Sequence, residues 1–410
     1  MSVRQKTQKS GEEELEEVGG TSRRKSELPL GGSVKVTRIP LIDRVMLIGP
    51  PGIGKTEILK QRAMEEAERL HKKFVDLSTA DDKTIEDIFA HPSDYYVFLR
   101  VVAPHIFPED LQIPRQKNGE HRFYEHLPPK AFAIFSLPGI HGVLFLDELT
   151  NVIREDQISM YFSLIQEKEV GWGIRLSPNV KVIAAGNPDQ WSEIARVLPK
   201  PLRAGKLILI HTDAPSVQEW ADYMEKKYGD NWEKLVYAYL FFYKEDFIGA
   251  PKEGAEWEGI PTPRSWTQLA LLLKEIDDVE LVEAAAIGII GREAATRFLA
   301  VYLNRTNLEK YMEMIKNDPS SFSKFTTNEK ILVLSIVSQN LQEYKDFVKW
   351  LLKNDHESLS VLIFLLPREK KLEILRKDEE LRSIMLEAAD TVWSYLGEYL
   401  GLTKTTQEGS

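Results

Sequence analysis

Apolar residues along this chain follow two rhythms, and the change from one to the other comes near residue 214. Before it, short apolar runs recur at Val45-Met46-Leu47-Ile48, 96–102, Val143-Leu144-Phe145-Leu146, 180–185 and Leu207-Ile208-Leu209-Ile210. Runs of this length, rich in β-branched and aromatic residues, predict strands covered on both faces, as in a parallel sheet. Between them, Ile58, Leu59, Ala63, Ala67 and Leu70 return at helical spacing, as do Met160, Tyr161, Leu164 and Ile165 within a helix expected over 156–168. A short helix is expected over 84–89, a polar turn at 107–114, and a loop or hairpin at 116–123. Strand and helix alternate, which predicts an α/β domain with a mostly parallel sheet.

After Ala214 the helical period continues almost without a break. Helices are expected over 216–228, 231–244, 263–274, 281–290 and 293–303, with a glycine- and proline-rich loop at 249–263. A further helical section follows, with segments at 327–338, 341–353, 357–366, 369–376 and 380–400. The expected organisation is a disordered tail at 1–32, an α/β domain at 33–213, a helical lid domain at 214–304, a helical C-terminal domain at 305–403 and a frayed tail at 404–410. The tail is expected to stay unfolded because an acidic block at 12–17 and a basic one at 23–25 leave too little to bury.

Composition narrows the classes. With 410 residues the chain exceeds one ordinary core. A net charge of -10 argues against a protein built to coat nucleic acid, and no basic stripe with interleaved aromatics is evident. Without cysteine there is no disulfide and no thiolate zinc site. The longest apolar run, 359–366, is too short to span a bilayer, and the polar N-terminus lacks a signal-peptide core. The expectation is a cytoplasmic protein with no membrane partner.

The chemistry begins at residue 49. Gly49, Pro50, Pro51, Gly52, Ile53, Gly54, Lys55 and Thr56 complete the pattern G-x-x-x-x-G-K-[ST], and Glu57 follows. Glycines let backbone N–H groups approach phosphates, and the ensuing helix offers its positive end to the anion. Lys55 can reach the β- and γ-phosphates of a nucleotide, and the Thr56 hydroxyl can ligand Mg²⁺. A second run ends in two carboxylates, Asp147 and Glu148. Ligands of parallel sheets gather at the carboxyl ends of strands. There Asp147 can serve a metal ion, and Glu148 can orient or deprotonate water. A third strand ends in Asn187-Pro188; an Asn there can hydrogen-bond the γ-phosphate or the nucleophilic water, although standing alone the segment reads as a plain Asn-Pro turn.

In this order the motifs resemble those of the AAA+ ATPases, and further residues resemble the MoxR-like branch. These are the loop sequence G-P-P-G-I-G-K-T, Pro108-Glu109-Asp110-Leu111 before Ile113-Pro114, and the strand from Val182 to Pro188. Pro261-Thr262-Pro263-Arg264-Ser265-Trp266 and Gly291-Arg292-Glu293-Ala294-Ala295 belong to the same set. The resemblance covers roughly 34–303. It implies a P-loop AAA+ α/β domain followed by a helical lid, with ATP and Mg²⁺ bound between them. It implies Glu148 as catalytic base, Lys55 and Thr56 on phosphate and metal, and Asp147 on metal. Asn187 would be sensor 1 and Arg264 sensor 2. It also implies a homo-oligomeric ring, by analogy a hexamer, that remodels a client protein in a chaperone-like way with an adaptor protein.

One stretch departs from the pattern. The branch carries an arginine finger in a segment like L-P-x-P-L-x-x-R-F; here Leu198 to Leu202 matches, but Gly205 stands at the finger position. Arg203, flanking that point, is the substitute expected first, with Lys206 and Arg196 as others. The reversal over 169–176, with Trp172, resembles an inserted hairpin that would face a pore or pack on its own domain. Two rivals share the same engine. One is a nucleic-acid translocase or helicase, and the other a nucleotide-binding assembly scaffold with little hydrolysis. No N-K-x-D guanine signature is present.

Overall fold

The computed structural model describes residues 32–111, 113–117, 123–170, 174–188, 191, 207–251, 254–255, 257–303 and 309–386. The first half carries strands β1 (Val34–Lys35), β2 (Val45–Ile48), β3 (Lys73–Asp76), β4 (Tyr95–Val102), β5 (Ile113–Lys117), β6 (Phe123–Leu127), β7 (His141–Asp147), β8 (Val180–Gly186) and β9 (Ile208–Asp213). Seven of them form one sheet in the order β1-β9-β2-β8-β7-β4-β3, all pairings parallel. β5 and β6 form a separate antiparallel hairpin where a loop or hairpin was expected.

Both faces of the sheet are covered, which is why its strands read as continuous apolar runs. Along β7 the side chains alternate. Val143 and Phe145 join one buried cluster, with Leu59, Ala63 and Ala67 of α1 (Lys55–Arg69). Leu144 and Leu146 join the other. That second cluster also takes residues from α2 (Asp82–Ala90), α3 (Lys130–Phe135) and α4 (Glu155–Glu167). β3 and α3 have no counterpart among the sequence expectations. β3 is an edge strand with two apolar residues in four, too short to show a period.

Beyond residue 214 the described residues are helical. The helices are α5 (Val217–Tyr228), α6 (Leu235–Phe242), α7 (Pro263–Leu272), α8 (Val279–Ile290), α9 (Arg292–Tyr302), α10 (Glu309–Asn317), α11 (Thr327–Val337), α12 (Lys345–Asn354), α13 (His356–Leu365) and α14 (Arg368–Lys377). Three starts are fixed by reciprocal capping boxes: Ser216 with Glu219, Thr262 with Ser265, and Thr326 with Glu329. Pro263 sits at the first position of α7, where its missing N–H is not needed. Among the described residues, one buried cluster takes side chains from Val217 through Met385. α6 lies inside it, with Leu235 through Leu240 all buried, as an all-round apolar helix must be. The helix expected from 231 begins only at Leu235, after Trp232 has turned into this core.

The architecture is thus an α/β P-loop domain followed by an all-helical section and a further helical C-terminal section. No helix among the described residues is long and apolar enough to cross a membrane. Trp172, Arg196, Arg203, Gly205, Lys206 and the expected N-terminal tail fall outside the described residues, and the helix expected over 380–400 is described only as far as 386.

Candidate functional site

Six residues separate the end of β2 at Ile48 from the start of α1 at Lys55. Gly52 (φ 74°) and Gly54 (φ 96°) both take left-handed backbone conformations. A Cβ on Gly52 would lie 2.7 Å from Thr262 Oγ1, so this glycine also permits close approach of α7. The Arg264 N–H donates to the Gly52 carbonyl at 3.1 Å, joining the loop to the first turn of α7. Gly52→Val is expected to strain the loop by roughly 1–3 kcal/mol and to push α7 outward. The checks are a lower thermal midpoint and weaker nucleotide binding; wild-type values of both would refute the contact's importance.

Lys55, at the first position of α1, is 8% exposed. Its Nζ donates to the carbonyls of Gly49 (2.7 Å) and Pro50 (2.8 Å) and to Asn187 Oδ1 (3.1 Å). Burial pulls its pKa down to about 8; nearby Asp147 opposes this, and Arg264 adds to it. Its hydrogen-bond partners are all neutral, so the buried cation is under-compensated. A phosphate at the loop would supply the missing negative charge.

Asp147 ends β7 with its side chain 12% exposed. Its Oδ2 accepts from Arg100 Nε at 2.8 Å and from Thr56 Oγ1 at 3.3 Å, and its Oδ1 accepts from the Glu148 N–H at 3.0 Å. Glu148 is held at φ 59°, ψ 32°, a left-handed backbone that non-glycine residues take only under constraint. The constraint turns the chain sharply after β7 and separates the two carboxylates. Asn151 Nδ2 donates to Glu148 Oε2 at 3.3 Å. The Asn187 N–H donates to Thr150 Oγ1 at 3.1 Å, tying the ends of β7 and β8 together. Two hydrogen-bonded pairs, Lys55 with Asn187 and Thr56 with Asp147, therefore meet at the start of α1, joined through the Lys55–Thr56 peptide bond.

A cavity of about 320 Å³ opens beside the loop. Gly52, Ile53, Gly54, Thr56 and Glu57 form one wall. α5 supplies Trp220, Tyr223 and Tyr228, α7 supplies Arg264, and Val36 and Thr37 close one end. Its size and mixed lining suit a small organic ligand. The N-terminal segment is fastened here: Thr37 Oγ1 and Lys35 Nζ donate to Glu219 of α5 at 2.7 and 3.0 Å. Burial works to raise the Glu219 pKa, but hydrogen bonds from Ser216, Thr37 and Lys35 outweigh it and hold the carboxyl at about 2. Glu57 of α1 pairs with Lys227 of α5 at 2.8 Å, a further tie between the α/β half and the helical half.

Arg100, Thr150 and the three aromatic residues of α5 were not expected from the sequence. Arg100 did leave a signal, as a charge inside the apolar run 96–102. The aromatics left none, since their spacing matches an ordinary amphipathic helix.

No family model matches the chain, and no curated protein does. Solved structures match at low similarity. A single-substitution form of RuvB from Thermotoga maritima is 16% identical over 76% of this chain and 80% of RuvB, with a TM-score of 0.30. ORC2 from Aeropyrum pernix, in ADPNP and ADP complexes, is 12% identical over 85% of this chain and 90% of its own, with a TM-score of 0.30. NtrX from Brucella abortus in complex with ADP is 16% identical over 83% and 66%, again with a TM-score of 0.30.

Proposed function

We propose that the chain is a Mg²⁺-dependent AAA+ ATPase of the MoxR-like branch, working as a chaperone-like remodeller of protein complexes. One observation carries the catalytic part: Lys55, Thr56, Asp147 and Asn187 converge on a glycine loop whose Gly52 is bonded to the backbone of Arg264. The donor set fits the metal, since a hydroxyl and a carboxylate oxygen lie 3.3 Å apart at the start of α1. Mg²⁺ held by Thr56 and Asp147 would neutralise phosphate charge.

The residues divide the remaining work. Backbone N–H groups from Gly52 to Thr56 and the Lys55 ammonium bind the phosphates. The α5 aromatics and Val36 enclose the nucleoside in the cavity. Glu148 takes the proton from the attacking water, and Asn187 orients that water or the terminal phosphate. Arg264 brings a fixed positive charge from the lid and so couples phosphate state to lid angle. The wider assembly, a homo-oligomeric ring acting on a client protein with an adaptor, rests on the sequence resemblance, as does the role of Arg203; the cytoplasmic setting rests on the apolar pattern of the sequence.

The experiment is phosphate release and particle size for the purified full chain with ATP, with and without Mg²⁺. Metal-dependent release from an assembled particle is expected. A chain that neither binds nor hydrolyses ATP overturns the catalytic reading, and one that stays monomeric with ATP overturns the ring.

A further inference from the structure

The geometry points to Arg100 as a resident cation that a divalent metal must displace from Asp147 when nucleotide binds; this inference rests on the nucleotide site proposed above. Arg100 lies on β4 in register with Phe145 of β7, two residues short of the strand end. Val102 is the residue level with Asp147. The Arg100 side chain therefore runs forward along the strand to place Nε 2.8 Å from Asp147 Oδ2. That oxygen is the one that also faces the Thr56 hydroxyl, at 3.3 Å. The arginine thus shares Asp147 Oδ2 with the hydroxyl of the other proposed metal ligand, Thr56.

Charge explains why it is there. Asp147 is 12% exposed at the end of a central strand, and an ionised carboxylate so placed needs a cation. Lys55 turns instead to the carbonyls of Gly49 and Pro50 and to Asn187. Arg100 takes the role from the other side, and the Glu148 N–H covers the remaining oxygen. A hard divalent cation binding through Asp147 Oδ2 and Thr56 Oγ1 competes with the guanidinium for one oxygen. Arginine stays charged across the accessible pH range, so the exchange is one cation for another and involves no proton. The Arg100 side chain is 42% exposed, which leaves room for it to swing into solvent when displaced. It acts through Asp147 and is a positioning residue.

The test measures ATP binding by the wild type and by Arg100→Gln and Arg100→Lys, each in excess Mg²⁺ and in excess EDTA. The readout is the ratio of the two dissociation constants, EDTA over Mg²⁺. Taking that ratio cancels any change in the charge felt by the phosphates under both conditions. With the competitor gone, Arg100→Gln should raise the ratio by about three- to tenfold, the range expected for a charge-assisted bond at a partly exposed site. Arg100→Lys keeps a cation against Asp147 and should return the ratio toward the wild-type value. An unchanged or lowered ratio in Arg100→Gln overturns the exchange; a lowered one would make Arg100 a support for the metal ligand. A wild-type chain that binds no ATP under either condition removes the site itself and the exchange with it. An unchanged ratio in chains that bind ATP removes only the exchange.

Discussion

Replacing Glu148 by Gln is expected to lower ATP turnover by about 10²–10⁴-fold, the range of a positioned general base, while nucleotide stays bound. The side chain keeps its size, and its amide oxygen can still accept from Asn151, so the 3.3 Å contact survives. The left-handed backbone at φ 59° is set by residues on either side, not by the carboxylate. Asp147 still receives the residue 148 N–H at 3.0 Å, so the metal ligand is undisturbed. Only the capacity to take a proton is lost. Single-turnover hydrolysis together with ATP affinity gives the check. Turnover within threefold of wild type would remove Glu148 from the reaction, and a parallel loss of affinity would make it a binding residue.

Glu225→Ala should destabilise the helical half by about 3–5 kcal/mol, the cost of removing one partner from a buried ion cluster. Glu225 of α5 and Lys371 of α14 each have a side chain only 1% exposed, with Nζ 3.8 Å from Oε1. Lys234 reaches the same carboxylate at 3.1 Å and Asp230 at 2.7 Å. Burial lowers the Lys371 pKa to about 8, with Glu225 pulling the other way. Truncating the shared acid leaves two buried lysines facing each other. Lys371→Met, by contrast, keeps Glu225 paired with Lys234 and should be near neutral. Between pH about 8 and 10.5 the unfolded chain holds the Lys371 proton more tightly than the native one, so native stability rises with pH there. Lys371→Met should flatten that rise. Denaturant unfolding gives the size of the effect, and hydrogen exchange should show α5 and α14 losing protection together. A loss in α5 alone would refute a shared unit.

β2, β4, β7, β8 and β9 were legible because each carries a mainly apolar run, interrupted only by Arg100 in β4 and Lys181 in β8 and ending in polar residues in β9. β3 was not, because an edge strand of four residues needs only Phe74 and Val75 to hold it. The glycine loop was legible for a local reason: its glycines and the Lys55 contacts to Gly49 and Pro50 lie within eight residues of chain, although Lys55 also reaches Asn187 132 residues away. Arg100 and Thr150 were not, since their partners lie 47 and 37 residues away and only the sheet's strand order brings them together. Among the described residues, side chains from before 303 and after 309 enter one buried cluster, with Trp232 packed edge-on against Phe364, a contact no local pattern shows. Periodicity tells which face of a helix is buried, not what buries it.

The Arg264 N–H bonded to the Gly52 carbonyl belongs to the main chain. Every amino acid but proline carries that donor, so charge and shape at position 264 can drift while α7 remains tethered to the loop. Proline alone removes it, and the first turn of a helix accepts proline without breaking. If α7 is the lid helix proposed above, the charge it presents at residue 264 and its mechanical attachment are separately heritable. Natural variation can rewrite the side chain at this residue and leave untouched how α7 is fastened to the loop.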